Sequence, residues 1–333
     1  ASSGTASAWS TATSGASEVT GTPYRVTARG GGHGLHASLA ALRRLPVDLT
    51  AVVTVADDGG SSGRLRSEFG VLPPGDLRMA LAALCGDDEW GETWASVLQH
   101  RFAGTGEMKG HVVGNLLIVS LWEKLGDHVE ALDWVGRLLG ARGRVLPMAL
   151  TPLDISAEVR GLDPADPEAL STVRGQVAVA TTQGSIESIS LIPPDLTPCP
   201  EAVAAVRGAD AVVLGPGSWF TSVIPHLMVP ALRAALVETD GHLIVVLNLE
   251  AQRGETEGYA AADHLSVLLE HAPELPIGSV LVDRREAGDL CDLQRLVASC
   301  GARLVVDDVA CDDGSPRHDA AKLAAAYARL LDL

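Results

Sequence analysis

Apolar residues in this chain form short runs that alternate with longer segments of helical spacing. The first run, residues 24–29, is followed by a glycine cluster, a helical segment reaching about Leu45 and a strongly apolar run at residues 49–56. This strand–helix–strand order predicts a βαβ unit with two parallel strands. Further apolar runs, which we interpret as strands, occupy residues 145–150, 177–181, 211–214, 243–249, 280–282 and 304–306.

The segments between these runs carry apolar residues at three- and four-residue intervals, which is typical of amphipathic helices. Residues 75–140 are predicted to be mainly helical, and further helices are expected at residues 202–207, 222–237, 259–270, 291–299 and 319–331. Unbroken Val, Leu and Ile runs are typical of strands buried on both faces of a parallel sheet. The pattern therefore predicts an α/β fold: a Rossmann-like, doubly wound and mainly parallel sheet with helical insertions.

Two stretches depart from this alternation. Residues 157–200 mix polar and apolar residues in short alternations, which predicts a small antiparallel region. Residues 1–22 are rich in Ser, Thr, Gly and Ala, without a basic start or an apolar segment. They are predicted to be a flexible tail and not a signal peptide. Residues 23–333 show no internal repeat and no linker, so we predict a single domain there.

The net charge of −17 excludes one class of partner. A nucleic-acid-binding protein needs a basic face, and this chain offers none, so nucleic acid and anionic membrane surfaces are not expected as partners. The five cysteines are scattered and form no C-x-x-C pair, which is typical of reduced thiols. We therefore predict a cytoplasmic protein. A small anionic ligand stays compatible with the charge, because loop amides bind phosphate locally.

The first glycine cluster joins a predicted strand to a predicted helix, where backbone amides favour an anion. Residues 32–37 fit the G-x-G-x-x-A pattern, with acidic residues about 20 positions further along, as in dinucleotide sites. The alternative is a glycine turn that only packs the helix against the strand. The candidate ligand-binding residues here are Gly31, Gly32, His33 and Gly34.

A polar segment follows the second predicted strand. Paired carboxylates followed by glycines and hydroxyls suit a hydrated Mg²⁺ or the hydroxyl groups of a ligand, and an arginine behind them could reach phosphate. The alternative for either aspartate is a capping role in the turn. The candidates in this segment are Asp57, Asp58, Ser61, Ser62 and Arg64.

Further candidates lie at the starts of later helices. A second glycine-rich turn follows the strand at residues 211–214, and two such turns at strand ends are what a ligand cleft in a doubly wound sheet requires. Capping is the default role for Asp76, and a structural hydrogen bond is the default for the His111–Asn115 pair. Tyr259 is suited to stacking on a base or a sugar, with partial burial as the alternative. The remaining candidates are Gly215, Gly217, Ser218, Thr221, Ser222, Asn248 and Thr256.

Taken together, these segments resemble the YvcK-type gluconeogenesis factors of the CofD-like superfamily. The resemblance extends from about Tyr24 to the C-terminus and rests on six motifs in order. These are GGGHGL (30–35), VTVADDGGSSGRLR (53–66), PPGDLRMALAAL (73–84), GHVVGNL (110–116), VLGPGSWFTSVIPHLMVP (213–230) and GETEGY (254–259).

The resemblance implies a Rossmann-like core, a cytoplasmic location and binding of UDP-sugars such as UDP-N-acetylglucosamine. It also implies a role in growth on gluconeogenic carbon, cell shape and cell-wall precursor supply, with no settled catalytic activity. By resemblance, residues 31–34 and 215–222 form the two ligand loops, Tyr259 contacts sugar or base, and Arg295 contacts the ligand. Two positions depart from the family: His33 stands where many relatives have Thr, and Arg29 where an apolar residue is usual.

Three functions are therefore weighed. The leading hypothesis is a UDP-sugar-binding regulatory protein that acts through an unidentified protein partner. The second is a phospholactate-type transferase of deazaflavin cofactor biosynthesis, like the superfamily's founding enzyme, with Mg²⁺ held by Asp57 and Asp58. The third and weakest is an NAD(P)-binding protein. No cofactor other than Mg²⁺ is expected, and the sequence leaves the oligomeric state open, a homodimer included.

Overall fold

A seven-stranded sheet forms the centre of the protein. The computed structural model describes residues 23–286 and 290–333, so the predicted tail at residues 1–22 lies outside the described part. All neighbouring strands of this sheet run parallel. The strands are β1 (Tyr24–Gly30), β2 (Val47–Val53), β3 (Arg144–Pro147), β7 (Ala211–Leu214), β8 (His242–Val246), β9 (Ile277–Asp283) and β10 (Arg303–Asp307).

The order of these strands creates a cleft. They are arranged β10-β9-β8-β7-β1-β2-β3, so the chain moves outward from β1 to β3 and then returns to β7 on the other side of β1. This is a doubly wound order, and its switch point lies between β1 and β7. Loops that leave the carboxyl ends of these two strands diverge to opposite faces of the sheet, which opens a crevice for a ligand. The predicted fold class is confirmed.

A second, three-stranded sheet follows the first three strands. It contains β4 (Asp154–Arg160), β5 (Leu170–Arg174) and β6 (Ser185–Ile192) in the order β5-β4-β6. Both pairings are antiparallel. The alternating pattern at residues 157–200 therefore predicted the type of this region correctly, because one face of such a sheet is buried and the other is exposed.

Helices cover the central sheet. Helix α1 packs against α3 and α13, while α8 packs against α10. The helical prediction for residues 75–140 is confirmed, since α3 to α6 occupy that stretch. The helices are α1 (Gly32–Leu42), α2 (Gly60–Phe69), α3 (Gly75–Ala83), α4 (Glu89–Gln99), α5 (Val113–Leu125), α6 (His128–Leu139), α7 (Gln176–Ala180), α8 (Pro200–Arg207), α9 (Pro225–Met228), α10 (Pro230–Glu238), α11 (Ala261–His271), α12 (Cys291–Ser299) and α13 (Ala320–Leu330).

Three predicted elements differ from the structure. Residues 177–181, predicted as a strand, form the short helix α7, whose turns are closed by backbone bonds from Val179 to Gly175 and from Thr181 to Val177, while Asp58 Oδ1 accepts the Val177 N–H at its start. The predicted helix 222–237 is divided into a π-helical turn (Trp219–Val223), α9 and α10. Pro225 and Pro230 stand at the first positions of the two helices, where their missing N–H costs nothing. The polar segment after β2, interpreted as a loop, is helix α2 from Gly60 onward.

No single helix in residues 23–286 and 290–333 is long and apolar enough to cross a membrane. One pair of helical segments, Trp219–Met228 and Pro230–Glu238, meets that requirement in length and composition, but it is bent by 78°.

Candidate functional site

The first glycine loop begins α1 without a capping side chain of its own, and the Asp76 carboxyl group lies beside it, near enough to the Gly32 N–H to act on it. Gly31 is the N-cap residue, no side chain caps the helix, and its first turn has no acidic residue. The first amides of a helix lack partners within the helix, so they are available to an anion, which the helix dipole also favours. His33, in this first turn, is exposed to solvent. The predicted phosphate-side loop therefore has the backbone geometry that an anion requires.

The second glycine loop packs directly on the first. A Cβ atom at Gly34 would lie 2.1 Å from the carbonyl oxygen of Pro216, so only glycine allows this approach. Ser38, one turn further along α1, donates from Oγ to the Gly215 carbonyl over 3.3 Å. The two loops, predicted separately from the sequence, thus meet above the switch point of the sheet.

Asn248 fixes the second loop. Its Oδ1 accepts a hydrogen bond from the Gly217 N–H, and its Nδ2 donates to the Gly217 carbonyl, both over 2.9 Å. A side-chain amide that satisfies both backbone groups of one residue holds that residue in a single orientation. The other loop hydroxyls lie deeper: Thr221 and Ser222 are buried, and Ser218 is half-buried. Asn248 therefore positions the loop, and its amide is already engaged by protein atoms.

A cavity of about 710 Å³ opens where the two loops meet. Its walls come from the start of α1, from the second loop and from the chain after β8. Eight of its eighteen lining residues are polar or charged, and the others are small or apolar, a mixture that suits a small molecule with polar groups. The lining residues are His33, Gly34, His36, Ala37, Ala40, Pro216, Gly217, Asn248, Leu249, Glu250, Ala251, Gln252, Arg253, Cys311, Pro316, Arg317, His318 and Ala320.

Two carboxylates meet beside the first loop, and they are Asp57 and Asp76. A Cβ at Gly31 would lie 2.6 Å from Asp76 Oδ2, and one at Gly75 would lie 2.2 Å from Asp57 Oδ2. Burial raises the pKa of Asp57. Burial, followed by repulsion from Asp57, raises the pKa of Asp76 to about 7. Closely placed carboxylates that resist ionisation are suited to a cation or to proton transfer.

Asp58, predicted to share a metal with Asp57, has a different environment. Its Oδ1 accepts the Val177 N–H over 3.0 Å, and its Oδ2 lies beside Gly175. Asp57 instead accepts the Gly59 N–H over 2.9 Å. Successive side chains of an extended segment point to opposite sides, so the two neighbours diverge. Among the described residues, no group of three or more His, Cys, Asp and Glu side chains could hold a metal.

Ser61 connects the start of α2 to the start of α5. Its Oγ lies 3.1 Å from the Val112 N–H, 3.2 Å from Asn115 Nδ2 and 3.2 Å from His111 Nδ1. The first two groups are donors, so the hydroxyl hydrogen points to His111, whose own hydrogen is then on Nε2. Burial lowers the pKa of His111, which favours this neutral form. His111 and Asn115 share one partner, as their spacing predicted.

Three further candidate residues, Arg64, Ser62 and Thr256, do not line the cavity. The Arg64 guanidinium donates to the carbonyls of Glu107 and Lys109. The Ser62 hydroxyl accepts the Gly75 N–H over 3.0 Å, which joins α2 to α3, and interacts with the Asp57 carboxyl group. The buried Thr256 accepts the Gln252 N–H over 2.9 Å and organises the chain after β8.

Comparison with known proteins identifies the family. The family described as 2-phospho-L-lactate transferase CofD matches residues 26–313. The chain belongs to the CofD family. It is 52% identical to a putative gluconeogenesis factor of Mycobacterium tuberculosis (strain H37Rv), covering 90% of this chain and 88% of that protein. It is 36% identical to a gluconeogenesis factor of Bacillus subtilis, covering 84% of each.

A solved structure agrees with this assignment. A crystal structure of a protein from Bacillus halodurans superimposes on this CofD-family chain with a TM-score of 0.81 at 32% identity, covering 92% of this chain and 99% of that one. The resemblance to gluconeogenesis factors, inferred from six motifs, is therefore confirmed.

Tyr259 and Arg295, which the resemblance carries over as ligand contacts, do not line the cavity. The half-buried ring of Tyr259 packs edge-on against Phe220 and His264, with ring centroids 6.4 and 5.4 Å apart. Arg295 lies on the exposed surface of α12, where its guanidinium pairs with Asp292. The CofD-family chain thus brings the two glycine loops, Asn248 and the carboxylates together, and leaves Arg295 apart from them.

Several cavity residues of this CofD-family protein carried no signal in the sequence. Arg317 and His318 belong to the segment before α13, and α13 is held against α1 by a 2.8 Å hydrogen bond between Ser38 and Tyr327. Burial lowers the pKa of His318 to about 4, so this imidazole is neutral. Only the packing of the last helix against the first brings these residues to the site, and no local motif marks them.

Proposed function

We propose that the cleft binds a UDP-sugar, with UDP-N-acetylglucosamine as the leading candidate. The observation that carries the proposal is the cavity of about 710 Å³ that opens beside the uncapped N-terminus of α1. A pocket of several hundred Å³ with partly apolar walls suits a nucleoside, and the amides at a helix start suit its phosphates. The two features together favour a nucleotide over an uncharged metabolite.

The diphosphate of this ligand is assigned to the first glycine loop. The first turn of α1 has no side-chain cap and no acidic residue of its own, and the neighbouring Asp76, whose pKa burial raises to about 7, opposes an anion least when it is protonated. Each charge placed at a helix N-terminus gains about 0.3–1 kcal/mol from the dipole, and more where the site is partly buried. His33, exposed at the cavity edge, adds a hydrogen-bond partner where many relatives have a hydroxyl.

The nucleoside is assigned to the walls formed by the second loop, the chain after β8 and the segment before α13. Ala37 and Ala40 supply apolar surface on α1, while Gln252 and Arg317 supply polar edges. A base that forms hydrogen bonds with these polar side chains is held in one orientation. This arrangement needs no basic surface, which agrees with the net charge of −17.

The regulatory part of the proposal rests on the names of the relatives. The proteins from M. tuberculosis and B. subtilis are called gluconeogenesis factors. We extend that role to this chain as a cytoplasmic regulator that links gluconeogenic carbon to cell-wall synthesis and cell shape. Ligand occupancy would then be read by a protein partner.

Calorimetric titration with UDP-N-acetylglucosamine tests the binding. We expect saturable heat with the UDP-sugar and with UDP, and little with uridine or NAD. The variant Ala37→Phe places a ring in the cavity and is expected to weaken binding at least about tenfold. The matched control Ala325→Phe adds the same ring on the exposed face of α13. Absence of heat with every UDP compound refutes the proposal.

A second function is favoured by one observation, the carboxylate pair of Asp57 and Asp76. Mg²⁺ accepts one or two carboxylates together with water and substrate phosphates, and this pair supplies that donor set beside the phosphate loop. The residues present therefore fit Mg²⁺, with Asp76 in the place predicted for Asp58. Bound Mg²⁺ would neutralise phosphate charge in a transferase reaction, the activity in the description of the matching family.

Turnover distinguishes this second function from binding alone. With a deazaflavin acceptor, a phospholactyl nucleotide donor and Mg²⁺, a transferase releases the nucleoside monophosphate, and Asp76→Asn abolishes that release. A regulator gives no product under the same conditions, while its UDP-sugar titration still saturates. The control Asp58→Asn leaves the pair intact and is expected to retain most of any activity.

A further inference from the structure

The chain between β8 and α11 forms one wall of the cavity. Residues 249–253 line the cavity, and residues 254–259 turn away behind it toward Tyr259. Gly254, with φ +88, is close to backbone, since a Cβ there would lie 2.8 Å from the carbonyls of Ala180 and Thr182. We call residues 249–259 the wall loop. Its position is set by contacts on the side that faces away from the cavity.

Glu255 is the acidic residue that the wall loop inserts into the protein. Its side chain is 3% exposed, and neither carboxyl oxygen has a hydrogen bond of regular geometry. The Thr221 hydroxyl and the backbone amides of Trp219, Phe220 and Thr221 are nevertheless near enough to favour its charged form, although less strongly than burial disfavours it. A buried carboxyl group with incomplete hydrogen bonding is costly when charged. Burial accordingly raises the pKa of Glu255 to about 7.

The residues behind Glu255 belong to the second glycine loop. Trp219, Phe220 and Thr221 form the start of the π-helical turn that follows the loop. Asn248 joins the same two segments at Gly217 through two hydrogen bonds. The second loop is therefore contacted at two points, by the neutral amide of Asn248 just before the wall loop and by the ionisable Glu255 within it.

We propose that Glu255 is a positioning residue that seats the wall loop when its carboxyl group is protonated and loosens it when ionised. The consequence for nucleotide affinity rests on the function proposed above. A carboxyl group that ionises less readily when seated ionises more readily when released. Proton loss therefore favours the released loop, by thermodynamic linkage.

The effect of Glu255 ionisation can be distinguished from the titration of the other groups around the wall loop. Burial lowers the pKa of His264 and raises that of Tyr259, so both are neutral between pH 7 and 8.5. On the loop itself, Glu250, Arg253 and Glu257 are exposed. Asp76 has a pKa of about 7 as well, but it lies beside the first loop. Replacing Glu255 alone separates its contribution from that of Asp76.

Hydrogen exchange of the wall-loop amides, without ligand, tests the inference directly. Glu255→Gln keeps the shape and removes the charge, and Glu257→Gln is the exposed control on the same loop. At pH 8 we expect amides 252–259 to exchange about tenfold more slowly in Glu255→Gln than in the wild type. The difference should shrink as the pH falls below 7 and disappear toward pH 4.5, where the carboxyl group is protonated in the released loop as well. Equal exchange in the two proteins across this range refutes the inference.

Binding of UDP-glucose, whose phosphates do not titrate near neutrality, gives the second measurement. Wild-type affinity should fall severalfold from pH 6.5 to 8.5, and Glu255→Gln should bind more tightly than the wild type at pH 8.5. If neither UDP-glucose nor any other UDP compound binds at any pH while exchange follows Glu255, the proposed function fails and the loop inference stands. If it binds with the same pH profile in both proteins, the inference fails and the proposed function stands.

Discussion

Gly34→Ala is the substitution that tests how the two glycine loops form the cleft. The added Cβ would lie 2.1 Å from the Pro216 carbonyl oxygen and 2.5 Å from Gly217 Cα, both backbone atoms of the second loop. Backbone cannot rotate away as the end of a long side chain can. The second loop must therefore move away from α1, and Gly217 must pull against its two hydrogen bonds with Asn248.

The size of this effect follows from the contact distance. Ordinary van der Waals contact begins near 3.4 Å, so the loops must separate by roughly 1 Å where packing is otherwise tight. Overpacking of this kind costs about 1–3 kcal/mol, and we expect the upper part of that range because the obstacle is backbone. Binding should suffer as well, since both loops line the cavity. We expect at least a tenfold loss of UDP-sugar affinity, or about 1.4 kcal/mol.

The matched control is Gly70→Ala, at the end of α2. Gly70 has φ +65, and a Cβ there would meet nothing within 4 Å. Its cost comes from the left-handed backbone alone, about 1 kcal/mol, without an effect on binding. Denaturant unfolding and calorimetric titration of both variants measure the two quantities. If Gly34→Ala lost no more stability than Gly70→Ala and bound UDP-sugar normally, our account of the loop contact would be wrong.

Three further variants have distinct expected outcomes. Ser61→Ala leaves two donors without their acceptor and should lower the free energy of unfolding by about 1–3 kcal/mol. The control Ser67→Ala, at an exposed position on the same helix, should change it little. Comparable losses in the two variants would contradict the hydrogen-bond assignment. Asn248→Ala should cost about 2 kcal/mol and weaken nucleotide binding, because Gly217 loses both partners; unchanged titration heats would argue against it. The folded pKa of Asp76 is about 7, above its ordinary 3.8, so wild-type stability should fall as pH rises from 4 to 7. In Asp76→Asn this fall should be smaller. If the melting temperatures of the wild type and of Asp76→Asn depended on pH in the same way from pH 4 to 8, the effect would be excluded.

The candidate site shows where sequence reasoning was sufficient. The glycine loop at residues 31–34 was predicted from its place between a strand and a helix, and the structure puts it there. Such signals are local, because strand, turn and helix each depend on residues close in the chain. The second loop at residues 215–222 was found in the same way. The doubly wound fold class predicted that two such turns meet at a cleft, and the strand order in the structure, with β1 beside β7, brings them together.

The carboxylates beside the first glycine loop show where prediction from the sequence was insufficient. Asp57 and Asp58 are neighbours in sequence and were predicted to act together, yet the extended backbone directs them to opposite sides. The partner of Asp57 is Asp76, whose default interpretation was a helix cap, and the two meet only because α3 packs beside the first loop. A pattern of residue types contains no information on which helix approaches a given strand end.

What the sequence determined by itself are the features with local causes: the alternating strands and helices, the glycine turns and, through its motifs, the family. Tertiary structure alone decided which side chains share a space. It placed the helical Val177 segment against Asp58, brought Arg317 to the cavity through the packing of the last helix, and buried Glu255 against the second loop. The physical reason is that burial and long-range hydrogen bonds depend on surfaces that exist only after the elements have packed together.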